Sequence, residues 1–293
     1  MKACISCGFS FASEKWNCPQ CGWTPVNQEM FLSFIKERSM IFDSFNPKYY
    51  SSLYLLEKNN FWFNHRSKLI FKTINNFLPK IKNALEIGCG TGLVLSELGQ
   101  KFSHLSLTGS DLFVEGLHLA KKRVPTATLY QIDACHMPFD REFDLILALD
   151  TIEHIEADSK ALDEISRSLN PGGVLIVTVP QYRWLWSYQD EKAHHRRRYS
   201  KQELISKIEH SGLNIVRVTS FLTLLFPLMV LSRIYIGLIT RQQRQYDSLR
   251  ELKIPPIINR IMRAICMAEE YIFTIGINFP IGGSLLCIAE KRH

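Results

Sequence analysis

The sequence predicts an α/β fold: a doubly wound, mostly parallel seven-stranded sheet, with a small cysteine-rich unit before it and a helical insertion before its last strand. Three observations predict it. Short apolar runs of strand length alternate with longer stretches of helical periodicity from Ala84 onward. The first run feeds a turn with glycine at every second position, Gly88, Gly90 and Gly92, and then a helical pattern. Four of the eight cysteines fall in the first 21 residues as two C-x-x-C-G units, Cys4–Gly8 and Cys18–Gly22.

At 293 residues the chain can bury one large core and carry a small appendage. A hydrophobic share of 46% and a charged share of 22% are those of a globular protein, not of a disordered or fibrous one. The net charge of +7 suits an anionic substrate, RNA or a membrane surface, and selects none of them. The first residues carry cysteines and polar groups, not a charged cap and an apolar run, so the expected location is cytoplasmic. In that setting Cys4, Cys7, Cys18 and Cys21 are expected to bind zinc instead of pairing as disulfides. Four thiolates close the coordination sphere, which makes the zinc structural. This ribbon, residues 1–25, is too short for a core of its own; it either docks a partner or only packs on the larger domain.

Residues 26–60 are expected to be a connector and helical lead-in, with Phe31, Phe34, Ile35 and Arg38 forming a short amphipathic turn. The large domain then spans 61–293. Phe61-Trp62-Phe63 opens a helix running toward Leu78-Pro79; its aromatic cluster is either core or, with Arg66, the cover of a ligand. Ala84–Ile87 is a buried strand. The glycines after it admit dihedrals closed to other residues, and the following helix start points free N–H groups at one spot suited to an anion. The dinucleotide fingerprint G-x-G-x-x-G would need glycine at position 93, where Leu93 stands. The second strand, 105–109, leads to Asp111, 23 residues after Gly88; an acid at that tip can accept from two vicinal ribose hydroxyls, or simply cap a helix. A third strand, 129–134, contains Asp133 near its end. The fourth, 143–149, is apolar on both faces and delivers Asp150, Thr151, Glu153 and His154 to the carboxyl edge, where open α/β sheets bind ligands. A helix over 159–169 stops at Asn170-Pro171-Gly172-Gly173, and 174–179 is the fifth strand.

Glu86-x-Gly88-x-Gly90-x-Gly92, Asp111, Asp133 before Cys135-His136-Met137-Pro138-Phe139, and Asn-Pro-Gly-Gly before an apolar strand together resemble class I S-adenosylmethionine-dependent methyltransferases, in order across residues 84–180. The resemblance implies that Glu86, Gly88, Cys89, Gly90 and Gly92 meet the amino-acid tail of S-adenosylmethionine and Asp111 its sugar. It further implies Leu112, Asp133 and Ala134 around adenine, Asp150 in the same site, and Arg66 on the cofactor's carboxylate. Ile152-Glu-His154-Ile155 is, by the same likeness, either the seat of a general base or a structural helix start.

Beyond Pro180, the aromatic residues Tyr182, Trp184, Trp186 and Tyr188 precede a basic run over 194–198. This loop is expected to be a solvated lid or a clamp for an anionic acceptor. Similar His-x-x-Arg-Arg-Tyr segments occur in methyltransferases of small-molecule and glycolipid pathways. Ser200 and Glu203 form a capping-box pattern before the next helix, and 213–219 is the sixth strand. An apolar helical insertion occupies 220–275. Within it, 221–239 is nearly long enough to span a bilayer, but Pro227 and Arg233 interrupt it, and a central arginine costs about 2.5–3.5 kcal/mol on insertion. A cap over the active site, or a peripheral membrane contact with Arg241, Arg244 and Arg250 at the headgroups, fits better. The final strand is 282–289.

The function these features imply is methyl transfer from S-adenosylmethionine to a small-molecule or lipid-linked acceptor. An oxygen acceptor asks for a base such as His154, His194 or His195. Two alternatives stay open: an RNA methyltransferase using the zinc ribbon, and an inactive cofactor-binding scaffold. Nucleic acid is the weaker partner, because Thr151-Ile152 follows Asp150 where many base-amine enzymes carry Pro-Pro-aromatic.

Overall fold

The computed structural model describes residues 1–35, 48–77, 80–239 and 253–292; Arg38, Leu78-Pro79, Arg241, Arg244 and Arg250 lie outside them. Two short hairpins come first: β1 (Lys2–Ala3) with β2 (Ser10–Phe11), and β3 (Val26–Gln28) with β4 (Phe31–Ser33). Helices α1 (Lys48–Leu56) and α2 (Phe61–Asn75) lead to β5 (Asn83–Ile87), α3 (Leu93–Lys101), β6 (Ser106–Asp111), α4 (Val114–Arg123), β7 (Thr128–Gln131) and β8 (Phe143–Leu149). The second half holds α5 (Asp158–Ser168), β9 (Leu169–Pro180), the short α6 (Tyr188–Lys192), α7 (Lys201–His210) and β10 (Leu213–Phe221). α8 (Phe226–Ile239), α9 (Pro256–Thr274) and β11 (Ser284–Lys291) close the chain.

The sheet order is β10-β11-β9-β8-β5-β6-β7-β4-β3. β5 is its centre, parallel to β6 and β8, and β11 enters antiparallel between β9 and β10. Along β8 the side chains alternate between two cores. Leu145, Leu147 and Leu149 face Leu69, Val94, Leu117 and Cys266 from α2, α3, α4 and α9, whereas Ile146 and Ala148 face Ile165 and Leu204 from α5 and α7. The expected seven strands are all present, and both faces are covered, as a parallel sheet requires.

Two expectations are corrected. Residues 26–33 are not a helical lead-in but a hairpin, whose β4 runs parallel to β7 and widens the sheet to nine strands. Phe31 joins one core and Phe34 the other, which no single helical face could achieve, and the edge of β7 supplies the partner. The helix before Asn170-Pro171-Gly172-Gly173 does stop, at Ser168, but the stretch is not a loop before the fifth strand. It lies within β9 as a bulge, with Phe143 opposite Leu169 and Leu145 opposite Val174.

The ribbon docks on the sheet instead of standing apart. The Ala3 N–H donates to the Pro138 carbonyl, and Trp16 packs edge-on against Phe34, Tyr130 and Phe139. No helix among the described residues is long and apolar enough to cross a membrane.

α9 is amphipathic the wrong way round. Its buried face carries Cys266, Glu269, Glu270 and Phe273, while Ile257, Ile261, Tyr271 and Ile275 are exposed. The buried acids meet His65 of α2, whose Nδ1 and Nε2 lie 3.1 Å from Glu270 and Glu269 respectively. A neutral imidazole has one N–H, so serving both carboxylates requires the protonated ring. Burial alone would push the His65 pKa down; the hydrogen bonds to Glu269 and Glu270 outweigh it and raise it. A raised folded-state value means stabilisation that is full below the unfolded pKa and fades as pH rises through the folded one. The melting temperature should therefore fall as pH rises above about 6.5, and His65→Gln should flatten that slope. His65→Leu, removing the cation that Glu269 and Glu270 share, should cost about 3–5 kcal/mol, read by chemical denaturation at pH 6.

Candidate active site

β5 ends in the glycine turn. Gly88, Gly90 and Gly92 have φ of +65°, +51° and +73°, a region closed to most side chains. A Cβ on Gly88 would stand 2.6 Å from Thr151, and one on Gly92 2.8 Å from Ala120. Gly92 caps α3 but has no side chain to do it with; Glu86 reaches from β5 instead and accepts from the Leu95 N–H at 3.1 Å. Burial pushes the Glu86 carboxyl up to about 8, against the pull of Arg66. Cys89 is buried, with its thiol pushed well up by desolvation, and its N–H donates to Ser110.

Asp111 closes the tip of β6. Its Oδ2 accepts from the Gly90 N–H at 2.8 Å, and its Oδ1 accepts from the Phe113 N–H at 2.9 Å and from the Tyr50 hydroxyl at 3.1 Å. Tyr50 belongs to α1, a strap laid over the turn. Glu57, just past α1, accepts from Thr91 of the turn and Arg123 of α4, while Arg123 also stacks on the Tyr54 ring at 4.1 Å. The strap was not foreseen; nothing in Tyr49-Tyr50 signals it. At the tip of β7, Asp133 accepts from the Cys135 N–H at 2.9 Å and shapes the turn that holds Ala134, and Leu112 is partly buried on the opposite strand end.

The α2 side of the cleft is built by Arg66. Its guanidinium pairs with Asp150 and lies 4.7 Å from the Trp62 ring centre. Asp150 adopts φ of +49° at the end of β8, held by its own N–H donating to the Thr178 carbonyl. Arg66 Nε is buried and has no hydrogen-bond partner among the described residues. An unfilled guanidinium donor, three side-chain-free turn positions and an acid at the next strand tip fit the carboxylate, backbone and sugar of S-adenosylmethionine. In this structure the Tyr50 hydroxyl occupies Asp111 at those tips, so a ligand sugar there displaces the Tyr50–Asp111 contact, while Arg66 keeps Asp150 and offers its free Nε.

A second constellation adjoins the first. Glu153 is fully buried, and neither of its carboxyl oxygens has a hydrogen-bond partner among the described residues; burial and nearby Asp150 push its pKa well up. One donor atom each of Glu153, His154 and His195 lie within 4.8 Å of one another. His195 Nδ1 sits 2.9 Å from Asp190 Oδ1. Burial would raise the Asp190 pKa, but hydrogen bonds from His195 and Arg198 hold it at about 2. His154 keeps part of its surface in solvent, yet crowding desolvates its ring and, with His195 alongside, lowers its pKa. His194 is exposed, at φ +57°.

The basic run is not an open clamp. Arg198 donates from Nε to Asp190 at 2.7 Å, and Arg197 pairs with Asp158 at 2.9 Å. The reciprocal capping box forms at Ser187 and Asp190; Ser200 caps α7 with its own hydroxyl, which accepts from Glu203. Tyr182 stacks on Trp184 and both meet Phe226 at the start of α8. Far from the cleft, Cys4–Cys21 and Cys7–Cys18 sulfurs lie 3.6 and 3.7 Å apart, close to the ~3.8 Å edge of a tetrahedron with Zn–S of about 2.3 Å.

Comparison with known proteins agrees with this geometry. A family model described as a methyltransferase domain matches residues 62–218. The chain is 34% identical over 106 residues to a fatty-acid O-methyltransferase of Mycolicibacterium smegmatis, covering 35% of this chain and 39% of the relative. It is 31% identical over 114 residues to a malonyl-[acyl-carrier protein] O-methyltransferase of Priestia megaterium, covering 38% and 42%. The chain thus spans about two fifths of the length of these curated relatives. In fold it is similar to a SAM-dependent methyltransferase of Thermotoga maritima, with a TM-score of 0.51 at 18% identity over 84% of this chain and 95% of that one. The protein belongs to the methyltransferase-domain family, and its fold is that of the class I S-adenosylmethionine-dependent methyltransferases.

Proposed function

We propose that this methyltransferase modifies an oxygen of a lipid-linked or other apolar small-molecule acceptor. The observation that carries the reading is an apolar surface running from Trp184 and Phe226 along Leu228, Leu231 and Ile234 of α8, together with the outward stripe of α9. Exposed patches of this kind mark lipid or protein contacts, and residues 221–275 would make a peripheral membrane contact in drawing such an acceptor in. Relatives named as a fatty-acid O-methyltransferase and a malonyl-[acyl-carrier protein] O-methyltransferase support the same class.

S-adenosylmethionine, when bound, supplies an electrophilic methyl on a sulfonium. Asp111 takes the two sugar hydroxyls, the turn at Gly88, Cys89, Gly90 and Gly92 takes the amino-acid tail beside Glu86, and Arg66 takes the carboxylate with Asp150 orienting it. Leu112, Asp133 and Ala134 line the adenine end. The chain's task is alignment and exclusion of water, with Tyr50 and Trp62 as covers. The acceptor oxygen meets the face of His154 and His195, where Asp190 fixes the His195 ring; exposed His194 stands outside this contact. The zinc ribbon braces β7 and the hairpin through Trp16, a structural role.

Asp111→Asn should weaken S-adenosylhomocysteine binding at least tenfold by calorimetry, since one acceptor for a sugar hydroxyl is lost at about 1.5–3 kcal/mol. Label transfer from radioactive S-adenosylmethionine should rise with acyl chain length across a fatty-acid series; transfer indifferent to chain length, or confined to RNA with steep salt dependence, would overturn the acceptor class. Cys21→Ser should lower the zinc retained by the purified chain and shift Trp16 fluorescence to the red.

A further inference from the structure

We propose that Glu153, His154 and His195 form a second metal site, which takes a divalent transition-metal ion and presents the acceptor's oxygen anion to the cofactor cleft. The three come from two segments locked together: the Arg196 N–H donates to the Glu153 carbonyl at 2.8 Å, and the Gln181–Tyr199 bridge fixes the loop behind. Their donor atoms already lie within 4.8 Å of one another, and the His154 and His195 rings meet edge-on at 4.7 Å. Drawing in to about 2.0–2.2 Å from one ion asks His154 to turn from the Ala193 and His194 backbone that its ring meets.

Two independent features point to a cation. Glu153 is 0% exposed, and both its oxygens lack a hydrogen-bond partner among the described residues. A carboxyl group in that state, ionised or not, leaves polar atoms unmet, and buried charges are ordinarily paired or metal-bound. His195, in turn, is held as metal-binding imidazoles are: its Nδ1 is engaged by Asp190, itself 1% exposed and anchored by Arg198 and Ser187, which leaves Nε2 as the donor toward Glu153 and His154. His65 is the contrast, with both nitrogens on carboxylates.

Two imidazoles and one carboxylate suit Mn²⁺, Fe²⁺, Co²⁺ or Zn²⁺ and leave coordination positions open for oxygen. Without a cation, an anionic acceptor here would face the bare Glu153 carboxyl, Asp150 being paired with Arg66. A carboxylate acceptor arrives ionised, with no proton to remove; its oxygen forms the new C–O bond as the C–S bond breaks, and that electron pair stays on sulfur. The acceptor role rests on the proposed function; the metal site does not.

Mn²⁺ titration of the full zinc-loaded chain, followed by loss of the aqueous Mn²⁺ electron-paramagnetic signal, separates this site from the thiolate site, which is soft and disfavours manganese. One Mn²⁺ per chain is expected, with at least tenfold weaker binding in Glu153→Gln and His195→Gln, and 10–100-fold weaker in Asp190→Asn. Cys21→Ser should leave the manganese affinity unchanged. Absence of Mn²⁺ and Co²⁺ binding in a chain carrying a single zinc, or parent-like affinity in both Glu153→Gln and His195→Gln, overturns the site. S-adenosylhomocysteine affinity of the same variants, expected within twofold of the parent, reports folding and reads the cofactor end separately. Bound Mn²⁺ that leaves the acceptor KM unchanged overturns its role toward the acceptor.

Discussion

The carboxylate of Asp111 holds together segments that the chain brings from three places. It is 6% exposed, and burial raises its pKa, yet three donors converge on it: the Gly90 N–H of the turn, the Phe113 N–H at the start of α4, and the Tyr50 hydroxyl of the strap. The first two bonds fix the glycine turn against the tip of β6, so that the free N–H groups of α3 face the cleft. The third ties α1 down over them. On the proposed reading a sugar hydroxyl replaces Tyr50 while the two backbone bonds remain. Cofactor affinity then reports a difference between two hydrogen bonds to one acid, and the position of the strap is part of the binding equilibrium.

The sheet was legible because its signals are local. Apolar runs of strand length, glycines that alone tolerate a positive φ, and acids at strand tips all act within a few residues of themselves, and each stands where its spacing placed it. The hairpin at 26–33 was not legible, because Phe31 and Phe34 at i and i+3 mimic a helical face; only the bare edge of β7, about 100 residues later in sequence, makes them a strand and its flank. Tyr50 was missed for the same reason: its meaning lies in Asp111, 61 residues away. Arg197 and Arg198 were misread in kind. A run of arginines looks solvated or ligand-binding in isolation, whereas Asp158 and Asp190 neutralise these two inside the fold.

The same neutralisation explains why the acceptor side is asymmetric. With Arg197 and Arg198 engaged and Arg66 on Asp150, the described arginines nearest the carboxyl edge have their charge matched by acids of the fold. Glu153 is the exception, an acid with no hydrogen-bond partner among the described residues. A buried carboxyl with both oxygens bare leaves an unmet demand for a donor or a cation there.

α9 carries the complementary lesson. Its inner face must match His65 and Lys68 of α2, and so spends Glu269 and Glu270 inward, where Glu269 also accepts from the Leu222 and Leu224 N–H groups. With Glu269 and Glu270 sharing the inner face with Cys266 and Phe273, Ile257, Ile261 and Tyr271 of the helix and Ile275 just past it are left outside, 74%, 55%, 70% and 58% exposed. Hydrophobic burial would reverse this arrangement in an isolated globule, because each large apolar side chain left in water forfeits about 1.5–3 kcal/mol. The ion-paired seam between α2 and α9 therefore enforces an apolar exterior that folding alone does not reward. It becomes favourable only when something apolar covers it, and on the proposed reading that cover is the acceptor and the lipid surface it comes from.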